Sequence, residues 1–383
     1  MTRPEVPLMR STRLPALSAC SIALAGLVIS TAATGCAKPK GLTADERGDR
    51  LPIVHSDWRK LGYRWDWNAF PVLLIGEGPL RAEPHGDLVV FQETGGTITA
   101  IDDQVGSTIW TNKPAGDLTK FTGMDRRENT VFVSSESELF SLDAQTGELV
   151  RRNSYEKLAA TDFILFGTDA VTGSASGEVM GTYMPADIKL WGHDMPGTFE
   201  HDLVAMGPIV GGVTTTGRVV CVNTQTQRQT GQNDIFKGPG AALASSDDKM
   251  FVASLDQTLY AFRAEDSRLA WKHLTPSPIT EPPVFHEGVV YCSLADTGLT
   301  AFDADTGKVL WTSEDQFGRV IGLRNGRLMV FDGKYLVAVE PQRGNVLDKI
   351  SLSNVHSITM DPFVDGDIYL TSREGVVAKF VAD

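Results

Sequence analysis

The sequence predicts an all-β protein, an eight-bladed β-propeller of four-stranded antiparallel blades. Three observations carry this. A motif recurs about every forty residues, each copy divides into four short strands, and the last copy stops one strand short. The clearest copy of the motif is Ala301-Phe302-Asp303-Ala304-Asp305-Thr306-Gly307-Lys308-Val309-Leu310-Trp311. Positions equivalent to Asp303 read as Asp102, Asp143, Met184, Asn223, Arg263, Asp303, Glu340 and Val381, at steps of 41, 41, 39, 40, 40, 37 and 41 residues. A period of that length marks an array of one small unit.

Within the sixth copy the strands read as Pro283 to His286, Val289 to Leu294, Leu299 to Phe302 and Lys308 to Trp311. Alternating apolar and polar positions, rich in β-branched and aromatic residues, favour strands. Glu287-Gly288, Asp296-Thr297-Gly298 and Asp305-Thr306-Gly307 supply the turns. No long helical period runs through the repeats. A lone four-stranded sheet cannot bury both faces, so the units must pack side by side and the ring must close. The eighth copy supplies a third strand, Arg373 to Phe380, and then the chain ends. The segment Leu61-Gly62-Tyr63-Arg64-Trp65-Asp66-Trp67 is the expected donor of the missing outer strand.

Eight residues past the anchor stands Trp110 in the first copy, Trp271 in the fifth and Trp311 in the sixth, while Trp191 lies one residue early in the third. In the motif the Asp is expected to accept hydrogen bonds from the following turn, the Gly to take positive φ, and the Trp to cover the seam with the next blade. Asp102, Asp143, Gly147, Asp303, Gly307, Trp110, Trp271 and Trp311 are therefore scaffold candidates.

Residues 1–35 read as an export signal. Arg3, Arg10 and Arg13 precede an apolar run from Ala16 to Ala33, and Ala33-Thr34-Gly35-Cys36 follows. The last four resemble a bacterial lipobox, which makes Cys36 the candidate lipidation site. Either Met1 or Met9 could start the chain. Residues 36–60 are polar and charged and read as a tether, leaving 61–383 for the propeller. The formal charge is −13, and removing the signal leaves −15. An acidic surface argues against nucleic acid as a partner. Cys221 and Cys292 sit mid-strand and read as small buried hydrophobes.

The Ala-x-Asp-x-x-Thr-Gly-x-x-x-Trp run from Ala301 to Trp311, with partial matches at Ser141–Gly147 and Ala100–Asp102, resembles the repeats of quinoprotein-type (PQQ-like) propellers. A lipoprotein signal followed by eight such repeats resembles the BamB family of outer-membrane assembly lipoproteins. That resemblance implies a non-catalytic scaffold without cofactor, lipid-anchored in the outer membrane and facing the periplasm. Its implied partner is a periplasmic domain of an envelope assembly protein. Two alternatives stand beside it: an envelope propeller that binds another secreted protein or a polysaccharide, and a PQQ-dependent dehydrogenase. The second would need a calcium-binding set of side chains and, in many members, adjacent cysteines, and the chain has no Cys-Cys pair. The seven histidines are scattered, with no metal-ligand spacing. Gly173-Ser174-Ala175-Ser176-Gly177 reads as a hairpin, not a nucleophile elbow. Two segments stand out as possible partner surfaces: Met180 to Pro196, whose ordinary reading is an irregular third blade, and the Pro-rich link from Pro276 to Pro283.

Overall fold

The computed structural model describes residues 41–383. The export signal and Cys36 lie outside the described residues. Eight antiparallel sheets of four strands each follow one another along the chain. The sixth blade comprises Val284–His286, Val289–Leu294, Gly298–Asp303 and Val309–Ser313, within two residues of the sequence expectation. First strands of successive blades lie side by side: Val204–Met206 beside Ala244–Ser245, and Ala244–Ser245 beside Val284–His286. They therefore ring the axis. Val355–Asp361 contacts both Arg319–Arg324 and Pro79–His85, so the eighth blade meets the first and the ring is closed.

The closing strand is the expected one. Strand β1 (Tyr63–Ala69) pairs antiparallel with Val377–Ala382 and completes the eighth blade. A bulge between Trp65 and Trp67 shifts the register, and such an extra residue re-aims the side chains that follow it. Trp67 opposite Lys379 therefore stands where Trp311 stands opposite Ala301. Ordinary outer strands bulge too, with Trp311 opposite Ala301 and then Val309 opposite Phe302.

Two features differ from the sequence reading. The first is the anchor of the third copy. Trp110 pairs with Ala100, Trp271 with Ala261 and Trp311 with Ala301, each two residues before the anchor. Trp191 pairs with Gly181, so the anchor is Tyr183 and not Met184, and Trp191 is in register. The turn there has no Gly to mark it; Asp187 takes the left-handed conformation at φ 59°. The second is the polar stretch before Leu61. Residues 41–60 hold two short helices, α1 (Ala44–Asp49) and α2 (His55–Lys60). Thr43 and Glu46 form a reciprocal capping box on α1. Helix α2 buries Trp58, whose ring stacks on Phe380 at 3.5 Å between centroids. Trp58 joins Met329, Leu336 and Ile350 of the seventh blade to Ile358 and Ile368 of the eighth. One aromatic residue in a polar stretch gave the tether reading nothing periodic to oppose it.

Core formation follows the layers. Middle strands are buried on both faces; Val289–Leu294 has only its first residue partly exposed. Outer strands face solvent, and Val309–Ser313 buries Trp311 alone. The apolar clusters each join neighbouring blades, so the core is a ring of seams. A blade cut from its neighbours would expose such a face on both sides.

Candidate functional site

The repeat motif assembles between copies and not within one. Trp110 donates its indole N–H to the Ala144 carbonyl at 2.8 Å, and Trp271 does the same to Ala304 at 2.8 Å. Trp311 reaches the Pro341 carbonyl at 2.7 Å, and Trp67 reaches Asp103 at 2.9 Å. Each ring lies flat on a glycine of the next blade's turn: Trp67 on Gly106, Trp110 on Gly147, Trp271 on Gly307 and Trp311 on Gly344. A Cβ on Gly307 would sit 2.6 Å from the Trp271 ring. All four glycines have φ between 68° and 75°. The corresponding residues of the other turns, Asp187, Gln227 and Ser267, are also left-handed without being glycine. Glycine thus stands under four of the indoles, and positive φ alone does not demand it; at the Trp191 seam, where the next turn carries Gln227, the indole lies against Gly181 of its own blade.

Asp143 and Asp303 lie in the same turns. The Asp303 carboxylate accepts the Thr306 hydroxyl at 2.6 Å and the Thr306 and Asp305 N–H groups, and these bonds hold its pKa below the usual range. Asp143 is lowered in the same way, first by the Thr146 N–H. Asp102 accepts from Gln104 and Val105. So Asp143, Gly147 and Trp110 meet at the seam of blades one and two, and Asp303, Gly307 and Trp271 at that of five and six. Replacing Trp311 by Ala removes a 9 % exposed indole and orphans a carbonyl. The expected loss is about 3 kcal/mol, read as a shift in urea midpoint at unchanged slope. A loss under about 1 kcal/mol would mean that the ring does not seal its seam.

Sequence reasoning missed the seam that closes the ring. Lys379 is buried and places its ammonium 2.6 Å from the Asp103 carboxylate, 3.0 Å from the Asp103 carbonyl and 3.3 Å from Asp367. Tyr369 donates to the other Asp103 oxygen at 2.6 Å. Burial, and then the Asp103 carboxylate, push the Tyr369 phenol up. A Lys inside an apolar strand, Val377-Ala378-Lys379-Phe380, was the available signal. Also missed was a Ser or Thr at the inner hairpin turns. Ser135, Ser174 and Thr214 each accept a backbone N–H from the first residue of the strand that follows, and Ser372 accepts that of Val376 just before its strand.

Acidic groups collect where the chain enters the inner strands. The Asp162 N–H donates to Asp202 at 2.7 Å, and the Asp162 carboxylate lies over Gly123, where any side chain would collide with it. Burial pushes Asp162 up to about 8, with Asp202 and Glu83 adding repulsion against the Phe163 N–H and Arg81. Glu83 is raised and His85 lowered, both by burial first. Asp162 is thus protonated in the fold while ionised in the unfolded chain above about pH 4. The unfolded state then binds fewer protons, so this group's contribution to stability falls from about pH 4 to about pH 8. Asp162→Asn should flatten that decline and stabilise the protein by about 2–4 kcal/mol at pH 9. Melts at pH 5 and pH 9 check it, and an equal effect at both would sink it. Among the described residues no three His, Cys, Asp or Glu side chains converge as metal ligands. Cys221 and Cys292 are buried and unpaired, with thiols raised by burial.

One face of the ring is formed by the loops between blades and by the inner hairpin turns. Large apolar side chains stand out from it: Leu118, Leu158, Phe236, Leu274 and Phe317, with Leu118 at 98 % and Phe236 at 85 % exposure. A cleft of about 630 Å³ opens beside Phe317, Arg319, Asp332 and His356, with Thr280 and Glu281 of the Pro-rich link on its wall. The Met180–Pro196 segment instead turns Met180, Met184, Trp191 and Met195 inward.

Residues 63–183 and 185–383 match the family described as outer membrane protein assembly factor BamB. The chain belongs to the BamB family. Its BamB relative from Shewanella oneidensis is 25 % identical over 165 residues, 37 % of this chain. That alignment spans 42 % of the relative's own length. BamB from Moraxella catarrhalis superposes with a TM-score of 0.62 at 18 % identity, over 81 % of this chain and 97 % of that one. The computationally designed Ika8 protein superposes at 0.66 with 16 % identity, covering 80 % and 96 %. The WD40 domain of Sif2 follows at 0.63 and 9 %, covering 84 % and 98 %. At these identities structural likeness speaks to fold. In this BamB-family chain the matched residues include the seam tryptophans Trp67, Trp110, Trp191, Trp271 and Trp311.

Proposed function

We propose that this chain is a non-catalytic scaffold for protein–protein interaction in outer-membrane β-barrel protein assembly. In this reading Cys36 carries the lipid anchor, the propeller faces the periplasm, and the partner is a periplasmic domain of an assembly protein. Membership in the BamB family over all eight blades is the observation that carries it. The loop face supports it, because exposed apolar side chains rimmed by polar ones suit a protein partner and loops on rigid blades are where recognition concentrates.

The test is capture from detergent-solubilised membranes, with the bound proteins identified by mass. An outer-membrane assembly component should be recovered with the native chain. Phe236→Asp places a charge in the proposed interface and should weaken that capture by about tenfold or more, leaving the melting temperature unchanged. Recovery of an unrelated secreted protein or of polysaccharide would overturn the reading. So would dye reduction on addition of pyrroloquinoline quinone and calcium.

A further inference from the structure

We infer that the loop joining β1 to the first blade rests on the membrane surface, and that the occupant of its apolar patch is lipid. Leu42, Phe70, Val72, Leu74 and Ile75 are all exposed, and Ile75 is the most exposed of them at 62 %. They form one patch. Gly41 lies against Ile75, Gly48 of α1 against Phe70, and the Arg47 guanidinium sits over the Phe70 ring while donating to the Pro71 carbonyl at 3.0 Å. The loop is held from beneath: the Leu74 N–H donates to the buried Glu93 carboxylate at 2.7 Å, and Leu73 packs into the seam of blades eight and one. Its apolar tips are therefore presented on a fixed base.

Chain length selects the occupant. This inference rests on the reading that Cys36 is lipidated. Five peptide steps separate Cys36 from Gly41, a reach of at most about 18 Å. An acylated Cys36 then holds Gly41, and with it Ile75, close to the headgroups. Acyl chains supply the binding. The loop belongs to the same between-blade face as Phe236 but lies at the seam of blades eight and one, across the ring from the seam of blades four and five, so lipid there sets which way the propeller stands and leaves Phe236 for protein.

Two measurements on the mature protein purified from its own membrane test this. Mass of the N-terminal peptide reports acylation at Cys36. Hydrogen exchange is then followed after reconstitution into phosphatidylethanolamine–phosphatidylglycerol vesicles, with the unacylated Cys36→Ser chain in buffer as reference. Amides of residues 70–78 should exchange on the order of tenfold more slowly on vesicles, while residues 362–366, in a turn at the opposite end of the blade, should not change. The double variant Leu74→Asp and Ile75→Asp, still acylated and with an unchanged melt, should lose that protection. An unacylated Cys36 overturns the anchor reading and the inference with it. An acylated protein whose loop exchanges as in buffer overturns the inference alone. So does protection that appears in the reference as its concentration rises, because a second copy would then be the occupant.

Discussion

Deletion of residues 61–67 abolishes the cooperative unfolding transition: that is the expected result, and it is the largest effect this fold predicts. The deletion takes most of β1 and leaves Val377–Ala382 as an open edge. It also removes Leu61, Tyr63 and Trp67, all 6 % exposed or less. Side chains of that size contribute about 1.5–3 kcal/mol each by burial, together on the order of 6 kcal/mol, against the 5–15 kcal/mol that typically holds a whole domain. Other groups lose partners as well. The Tyr63 hydroxyl donates to the Gly366 carbonyl at 3.1 Å, and Arg324 and Arg327 donate to the Gly62 and Leu61 carbonyls at 3.1 Å each. The exposed edge is a template for pairing with another chain. The shortened protein should bind a hydrophobic dye, elute as aggregate and melt without a sharp midpoint. Trp67→Ala alone should keep the transition and lower it. A shortened chain that melts at the native temperature would show that the ring does not depend on its first strand.

How far the sequence was legible follows from which features repeat. The period, the four strands and the missing eighth outer strand are all properties of many copies, and a misjudged residue in one copy is outvoted by the rest. Blade number and ring closure were therefore readable. Single-copy features were not. Met184 was mistaken for an anchor because its turn has neither Asp at the start nor Gly at the end, and pairing of Trp191 with Gly181 corrects it. Trp58 gave no periodic signal, yet α2 packs on the outer strand of the seventh blade and on β1. It fills a seam whose outer strand carries Asp348, paired with Ala338, where five other blades carry Trp. The pairing of Gly with Trp across seams was half legible: both residues were singled out, but assigned to one copy when they belong to consecutive ones. The apolar side chains of the loop face lie in the irregular segments between copies, where no period constrains sequence.

Lys379→Met should destabilise the protein by about 3–5 kcal/mol, nearly all of it recovered when Asp103→Ala is added. Lys379 is 6 % exposed and Asp103 12 %, so removing the cation strands a buried carboxylate with only the Tyr369 hydroxyl and solvent at its edge. Ala in place of Asp103 is sterically native to the site, since Ala144, Ala264 and Ala304 occupy the same position in other blades, each marked by the same N–H bond back across the hairpin. Asp103→Ala alone should cost less than Lys379→Met, because Lys379 keeps Asp367 at 3.3 Å. A urea double-mutant cycle measures the coupling, and additive single effects would show that the pair contributes nothing as a pair. The location has a consequence for assembly. At the equivalent positions the seams after the first use Ala144, Met184, Thr224, Ala264 and Ala304, none of them charged. The seam that must join the two ends of the chain carries a charged pair buried on both sides, whereas Lys249–Asp305 and Arg324–Asp365, which cross other seams, leave their carboxylates exposed. The other blades offer the eighth several apolar faces of much the same shape, and a buried Lys on its third strand that accepts only the blade carrying Asp discriminates among them. The neutral double variant should therefore keep most of its equilibrium stability while refolding with a lower yield of monomer and more domain-swapped or aggregated material, a difference that size-exclusion chromatography after dilution from urea would register.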